Sequence, residues 1–437
     1  MPNPSLSSFI SSKQYNTEVV TVNPCITAFL AGSTYNAPSF TATSGTTNDP
    51  GGLFGWLIYA RSNPSLSTTP PGTTADTYIE YSNPSDLVGD LNKLGGVTYC
   101  LVSKPGEGGT YGFFTNSSGE ITALNPGIDF LHSINYLAYG GKLVIAGTTT
   151  GFENYENATG NYIDVLMGTT ANATLAQWLQ SNPYTVGVFP SVADSNGQVG
   201  AGYTMANFTS FTSSAAVATG STFGTRVFNV YGVRASYDIT TDLLVSGSKI
   251  TAYYIPAVSD VAGFFTRAKN TNTMFVSVSG LSNSFMLNGT IINGVNWENT
   301  SIKQILSKNR VNYFVNYTTK FLGQDLVGAT ANASTPTSVE RIGPSELNIQ
   351  IQKVVTDLAL KYVFKSNVKT TRDSLVTEII SYLNSLATFI DTTQTQVVCD
   401  SSNNTDNSST LTVAITVKPL VSSNSIVVNV SVGDTTA

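Results

Sequence analysis

Two stretches of this chain are written in the same grammar, and that grammar limits what the chain can fold into. Pro84-Ser85-Asp86 open a short apolar helix, Leu87 to Leu94, which Gly95-Gly96 close before an apolar strand, Val97 to Val102. Residues 127–147, GIDFLHSINYLAYGGKLVIAG, repeat the order: helix, Gly-Gly, then a strand from Lys142 to Ala146. Serine or aspartate ahead of an apolar run satisfies the free N–H groups of the first helical turn, and glycine after it supplies the left-handed residue that ends a helix. Helix–turn–strand alternation places helices on a sheet and predicts an α/β or α+β architecture. The apolar runs Cys25 to Gly32 and Thr185 to Phe189 read as further strands, and Thr174 to Leu179 as a short helix. Residues 33–76 and 190–225 are rich in Thr, Ser, Gly and Pro and read as loops.

The pattern changes near residue 285. Ser301-x-x-Gln304 fits a capping box ahead of Ile302, Ile305 and Leu306. Val311, Tyr313, Val315 and Tyr317 recur at strand spacing. Two helices follow: one carries Ile351, Val354, Val355, Leu358 and Tyr362, and the other runs from Arg372 to Ile390. The second has Leu375, Val376, Ile379, Ile380, Leu383, Leu386, Ala387 and Ile390 on one wide face, with Thr370 as its N-cap signature. A polar linker, Asn403 to Ser409, precedes two closing strands, Leu411 to Val417 and Ser425 to Val432. The fold class expected is α+β and multidomain. Residues 1–22 form an arm, 23–284 a β-rich outer domain with an inserted lobe, 285–420 an α/β-type inner domain, and 421–437 a second arm.

Charge is scarce. Asp, Glu, Lys and Arg make up 11% of the 437 residues, against about 25% in a typical soluble domain. A surface so weakly charged is poorly defended against association, which fits a subunit buried in an assembly better than a free secreted β-rich protein. The net charge of −6 and the absence of any Lys/Arg cluster argue against nucleic-acid binding. No run reaches the roughly 18 apolar residues of a membrane span, and the first residues do not read as a signal peptide. Asn-x-Ser/Thr triplets at Asn116, Asn157, Asn172, Asn207 and Asn316 are then by-products of composition. Cys25, Cys100 and Cys399 are too far apart for a disulfide framework or zinc site and are expected as buried free thiols.

No motif carries chemistry. His132 is the single histidine, expected as a partly exposed helix residue with no nucleophile elbow nearby. Lys104 to Gly112, KPGEGGTYG, lacks the Gly-Lys-Ser/Thr ending of a phosphate loop. Asp49, Asp90, Asp129 and Asp164 stand apart in sequence, although distant residues can meet in space. No catalytic, cofactor or metal site is expected.

One segment is informative without being chemical. Ile250 to Arg267, ITAYYIPAVSDVAGFFTR, resembles the hallmark of contractile tail sheath proteins through Tyr253, Tyr254, Pro256, Gly263 and Arg267. Leu281 to Ile305, Leu326 to Thr330, Phe364 to Asn367 and Val398 to Asp400 resemble further sheath segments in the same order, as do Phe29 to Gly32 and Phe130 to Gly141. The usual tryptophan and paired arginines near the C-terminal helices are missing, and residues 150–225 match nothing. The resemblance implies a structural, non-enzymatic subunit that stacks as hexameric rings in a helical sheath around an inner tail tube protein. The sheath would meet baseplate and tail terminator proteins, and contraction would drive the tube into a target cell. It also implies location in a virion tail after assembly in a host cytoplasm.

Within that resemblance Pro256 and Gly263 would set a turn, and Lys303, Lys308 and Arg310 are candidates for contacting the tube. The family links subunits through arms. Glu18, Val19, Val20, Thr21 and Val22 at one end, and Ile426, Val427, Val428, Asn429 and Val430 at the other, are the expected arm strands. Folding of the second strand back onto Leu411 to Val417 as a hairpin is the simpler alternative. From other classes, a shell, fibre or surface-layer protein and a polymer-degrading hydrolase stay open.

Overall fold

A computed structural model describes residues 25–30, 47–48, 57, 78–92, 112–115, 121–125, 127–168, 178–190, 226–236, 253–271, 277–287, 289–291, 294–296, 298–308, 310–317, 319–328 and 340–420. The two expected arms, Cys100, the strand 97–102 and the phosphate-loop-like stretch up to residue 111 lie outside these residues.

The strands, in chain order, are β1 (Ile26–Leu30), β2 (Thr47–Asn48), β3 (Tyr78–Tyr81), β4 (Gly112–Thr115), β5 (Ile121–Asn125), β6 (Lys142–Ala146), β7 (Val165–Met167), β8 (Val186–Pro190), β9 (Val227–Tyr231), β10 (Val233–Ser236), β11 (Tyr253–Pro256), β12 (Thr290–Ile291), β13 (Val295–Asn296), β14 (Val311–Asn316), β15 (Phe321–Leu322), β16 (Gln396–Val398) and β17 (Ala414–Thr416). The helices are α1 (Pro84–Asn92), α2 (Gly127–Leu137), α3 (Thr149–Thr159), α4 (Val258–Asn270), α5 (Thr300–Lys308), α6 (Ile342–Leu360) and α7 (Lys369–Ser385).

One sheet organises most of them. Its order is β13-β14-β9-β8-β7-β1-β6-β3, with β15 added against β14. The pairings from β13 to β6 are parallel, and the sheet closes with antiparallel partners, β3 on β6 and β15 on β14. The mixed α/β content expected from the helix–turn–strand grammar is therefore present. Its parallel core is built by residues 26–316, and strands on both sides of residue 284 share it. A parallel sheet is covered on both faces, so its strands need no alternation. β8 and β9 are buried at every position, and so is β14 from Val311 to Val315. That is why the strand spacing seen at 311–317 does not mark one face.

The second copy of the opening grammar holds in detail. Helix α2 unwinds through Tyr139 and Gly140, whose amides donate to the carbonyls of Tyr136 and Leu137 at 2.9 and 3.0 Å. Gly140 has φ +81°, a conformation that costs a side-chain-bearing residue and that glycine adopts freely. β6 then enters the sheet between β1 and β3. In the first copy the helix is α1, which begins at Pro84, three residues before the expected Leu87.

Residues 342–420 form a separate layer. Leu347, Ile351, Val354 and Leu358 of α6 meet Leu375, Ile379, Tyr382 and Leu383 of α7 in a core of their own. Of the expected face of the last helix, Leu375, Ile379, Leu383, Leu386 and Ile390 are buried while Ile380 and Ala387 are exposed, so the buried stripe is narrower than expected; the helix begins at Lys369, with Val368 as its cap residue, and ends at Ser385. β16 and β17 pair antiparallel beside it, Val397 opposite Ile415. Helix α5 starts one residue before the expected cap. Asn299 Oδ1 accepts from the amide of Ile302 at 3.1 Å, so asparagine and not Ser301 does the capping.

Candidate functional site: the helical layer and its junction with the sheet

The stretch from Tyr253 to Arg267 becomes β11 followed by α4. β11 lies antiparallel to β10, with Tyr253 opposite Ser236 and Pro256 opposite Val233. The Ala257 amide donates to the Gly232 carbonyl at 3.0 Å, and the helix begins at once. The turn therefore sits at Pro256-Ala257. Gly263, expected to help set it, lies inside α4 and serves close packing: a Cβ there would stand 2.3 Å from the Tyr139 ring.

Tyr139 has little freedom to yield. Its hydroxyl donates to Asp260 Oδ1 at 2.8 Å and accepts from the Leu287 amide at 3.1 Å. Asp260 also pairs with the guanidinium of Arg234, and Arg234 Nη2 donates to the Leu287 carbonyl at 2.7 Å. Both charged side chains are sealed from solvent. Arg267, at the far end of the motif, donates through Nη2 to the carbonyls of Asn283 and Phe285 at 2.8 and 2.9 Å. Its guanidinium carbon lies 3.5 Å from the Phe285 ring centroid, a cation–π stack that a lysine could not reproduce with the same two hydrogen bonds. The family-like residues thus build a strand–helix corner and pin the 283–287 segment to it.

His132 is fully buried, where the sequence suggested partial exposure, because α2 packs that side against α4. Its Nδ1 lies 3.2 Å from Ser259 Oγ. Burial first, and Arg234 second, push its pKa down to about 3, so the ring stays neutral. Neither His132 nor Ser259 has any solvent exposure, so this pair has no open face for a substrate. Among the described residues no group of three or more His, Cys, Asp or Glu side chains is arranged to hold a metal ion, and no helix is long and apolar enough to cross a membrane. Cys25 and Cys399 are buried free thiols.

The helical layer offers two surfaces. A groove of about 660 Å³ runs along α6, lined by Tyr184, Leu347, Ile351, Val355, Ile415 and Val417 among others. β17 flanks it, and among the described residues that strand has β16 as its one ladder partner. At the α6–α7 turn, Leu360, Val363 and Phe364 are exposed. Phe364 is fully exposed and holds φ +67°, an outlier for a bulky side chain. Of the three expected tube-contacting cations, Arg310 is buried and ion-paired to Glu340 at 2.8 Å. Lys303 is half-buried on α5, and Lys308 ends that helix.

Sequence reading missed one cluster altogether. Asp164, which stood alone in the sequence, accepts from the Ile26 amide at 2.9 Å, from Lys269 Nζ at 2.5 Å and from Lys353 Nζ at 3.3 Å. Burial alone would raise its carboxyl, but Lys269, Lys353 and the amide outweigh burial and hold it at about 2. Glu346, buried on α6, is pushed the other way, to about 7, by burial and then by Asp164. The only local hint was the placement of rare charges: Glu346 and Lys353 two turns apart on one helix, and Asp164 at the head of an apolar strand.

No protein-family model matches the sequence, and no curated protein matches it either. Solved structures do. The chain superposes on the sheath of an extracellular contractile injection system, the PVC sheath complex in its contracted state. The TM-score is 0.58 at 10% identity, over 95% of both chains. The anti-feeding prophage helical sheath in its contracted state gives 0.55 at 10% identity, over 97% of this chain and 96% of that one. A chain of the six-fold symmetrised anti-feeding prophage baseplate gives 0.52 at 12% identity, over 77% and 92%. The fold is that of contractile sheath proteins, and the resemblance first drawn from Tyr253 to Arg267 is matched across nearly the whole chain.

Proposed function

We propose that this chain is a structural subunit of a contractile tail sheath and carries no catalytic activity. The observation that carries this reading is the end-to-end match to a contracted helical sheath, 97% of this chain on 96% of that one. The scarcity of charge supports it, because subunits packed on all sides need little solvated surface. Subunits stack as hexameric rings around an inner tube and move as nearly rigid bodies on contraction. The sheath meets a baseplate at one end and a terminator protein at the other, in the tail of a virion-like particle.

In this reading residues 285–420, which include the layer 342–420 with a core of its own, form the inner domain that faces the tube, and residues 23–284 form the outer body. Lys303 and Lys308 stay as candidate tube contacts, while Arg310 is taken up by Glu340. The arm strands Glu18 to Val22 and Ile426 to Val430 add to sheet edges of neighbouring copies. The β17 edge beside the groove suits such an addition, since β-augmentation needs unpaired N–H and C=O groups next to pockets for side chains. Electron microscopy of the purified protein tests the proposal. Hollow striated tubes are expected; discrete globular particles at all concentrations and ionic strengths would overturn it.

A further inference from the structure

Helix α6 carries two stripes. Leu347, Ile351, Val354 and Leu358 face α7. Positions 342, 349, 353 and 356 lie along the opposite side, and their contacts are with the sheet and its core. The start of that stripe is anchored. The Ile342 amide donates to the Asp325 carbonyl at 3.0 Å, Arg341 Nη1 donates to Asp325 Oδ1 at 3.1 Å, and Ile342 and Ile349 pack in the main core. Beyond Ile349 the stripe turns polar. Lys353 Nζ donates to Asp164 Oδ1 at 3.3 Å, and the Thr356 hydroxyl lies 3.3 Å from that of Tyr184.

The socket that receives Lys353 is built at the ends of neighbouring strands. Asp164 stands immediately before β7 and Tyr184 two residues before β8, and these strands pair in parallel. Tyr162 meets Tyr184 edge to face, with ring centroids 4.7 Å apart. Lys353 Nζ lies 5.6 and 5.9 Å from those two centroids, close enough for each ring to attract the ammonium group. The carboxylate is held in its turn: Asp164 Oδ2 accepts from the Ile26 amide at 2.9 Å and from Lys269 Nζ at 2.5 Å. The Lys353 side chain is 11% exposed.

Position matters as much as attraction. Lys353 is about 16 Å along the helix from the anchored Ile342, where a contact resists turning best. Apolar packing such as that of Ile349 has no preferred direction. A charged nitrogen seated between one carboxylate and two ring faces does define a place. The groove along α6 has a wall on each side of this junction: Tyr184 from the strand ends, and Ile415 and Val417 from the helical layer.

We propose that Lys353 is a pin that fixes the orientation of the helical layer on the sheet and so sets the width of the groove between them. Without the pin the layer turns about the anchored start of α6. The device belongs to the single chain and goes beyond the assignment as a sheath subunit, so it stands or falls apart from that assignment.

The distance between two spin labels on the full-length chain tests this. Labels go on Glu153→Cys, exposed on α3 beside the sheet, and Ser374→Cys, exposed on α7. Cys25 and Cys399 are buried, and Cys100→Ser removes the third thiol. One narrow distance distribution is expected with Lys353 in place. Lys353→Met keeps the apolar stem and leaves Asp164 paired with Lys269, so no buried charge is stranded. It should add a displaced component, the docked share falling about tenfold or more relative to the undocked one. Thr356→Val keeps the side-chain shape, loses the hydroxyl and should broaden the distribution less. Lys361→Met breaks an exposed pair with Glu378 inside the layer and should change nothing. A distribution as narrow in Lys353→Met as with Lys353 in place overturns the proposal. So does a broad distribution before any pin residue is changed, or equal broadening in Lys361→Met. Circular dichroism checks folding; if Lys353→Met does not fold, an unchanged width in Thr356→Val overturns the proposal instead.

Discussion

At the scale of single residues, the molecule spends its few charges on internal connections. Arg234, Asp260, Lys269 and Asp164 are placed where they tie one segment to another. Such pairs do little for net stability against apolar replacements, but removing one partner strands a buried charge and costs several kcal/mol. Gly263 shows the same economy in packing. Gly263→Ala drives a methyl group into a Tyr139 ring that two hydrogen bonds hold in place, so it should lower stability by about 1–3 kcal/mol. Denaturant midpoints measure this; an unchanged midpoint would mean that the ring moves freely. Phe364 invites the opposite change. Phe364→Asn suits φ +67° better and gives up no burial, so it should raise stability by about 0.5–1 kcal/mol. A lower midpoint would place the Phe364 ring in a contact within the subunit.

At the scale of elements, α7 gives a direct internal contrast. Leu383 is buried against α6 and Ile380, three residues earlier, is exposed. Leu383→Ala should cost about 2–5 kcal/mol through lost burial and the cavity left behind. Ile380→Ala should stay within about 0.5 kcal/mol. Comparable losses at the two positions would show that the outer face of α7 is also covered. The centre of this face was legible from spacing, because an amphipathic helix records its burial in its periodicity, but its edge was not: Ile380 fits the apolar period and is exposed. Helix α6 was legible only in part. Its two opposite buried stripes cancel in any single-face pattern, and only Ile351 to Leu358 stood out. β14 misled for a similar reason: apolar residues at alternate positions suggested one buried face, but a parallel strand covered on both sides buries the intervening Asn312 and Phe314 as well.

At the scale of the whole molecule, assembly is the property to test. Removing residues 421–437 should leave a folded, soluble subunit that no longer builds long tubes, and removing residues 1–22 should do the same. Tubes of normal length from the shorter chain would make the C-terminal strand an internal hairpin partner instead of a donated one. Circular dichroism and thermal melts on the same samples separate failure to assemble from failure to fold.

What the sequence determined by itself was local. It contained the helix–Gly-Gly–strand unit of residues 127–147, the centre of the apolar face of α7, the poverty of charge, and an ordered series of segments resembling sheath proteins. Each is written in neighbouring residues, where backbone propensity, capping and side-chain period act. Only the tertiary structure decided which distant residues meet. The strand order, with β1 between β6 and β7, follows from crossovers that no local pattern encodes. His132 is buried because α2 packs against α4, and Arg310 is spent on Glu340 thirty residues away. Asp164 meets Lys353 across 189 positions of chain. A carboxylate has no periodicity to announce its partner; its role is fixed by the desolvated space in which folding places it.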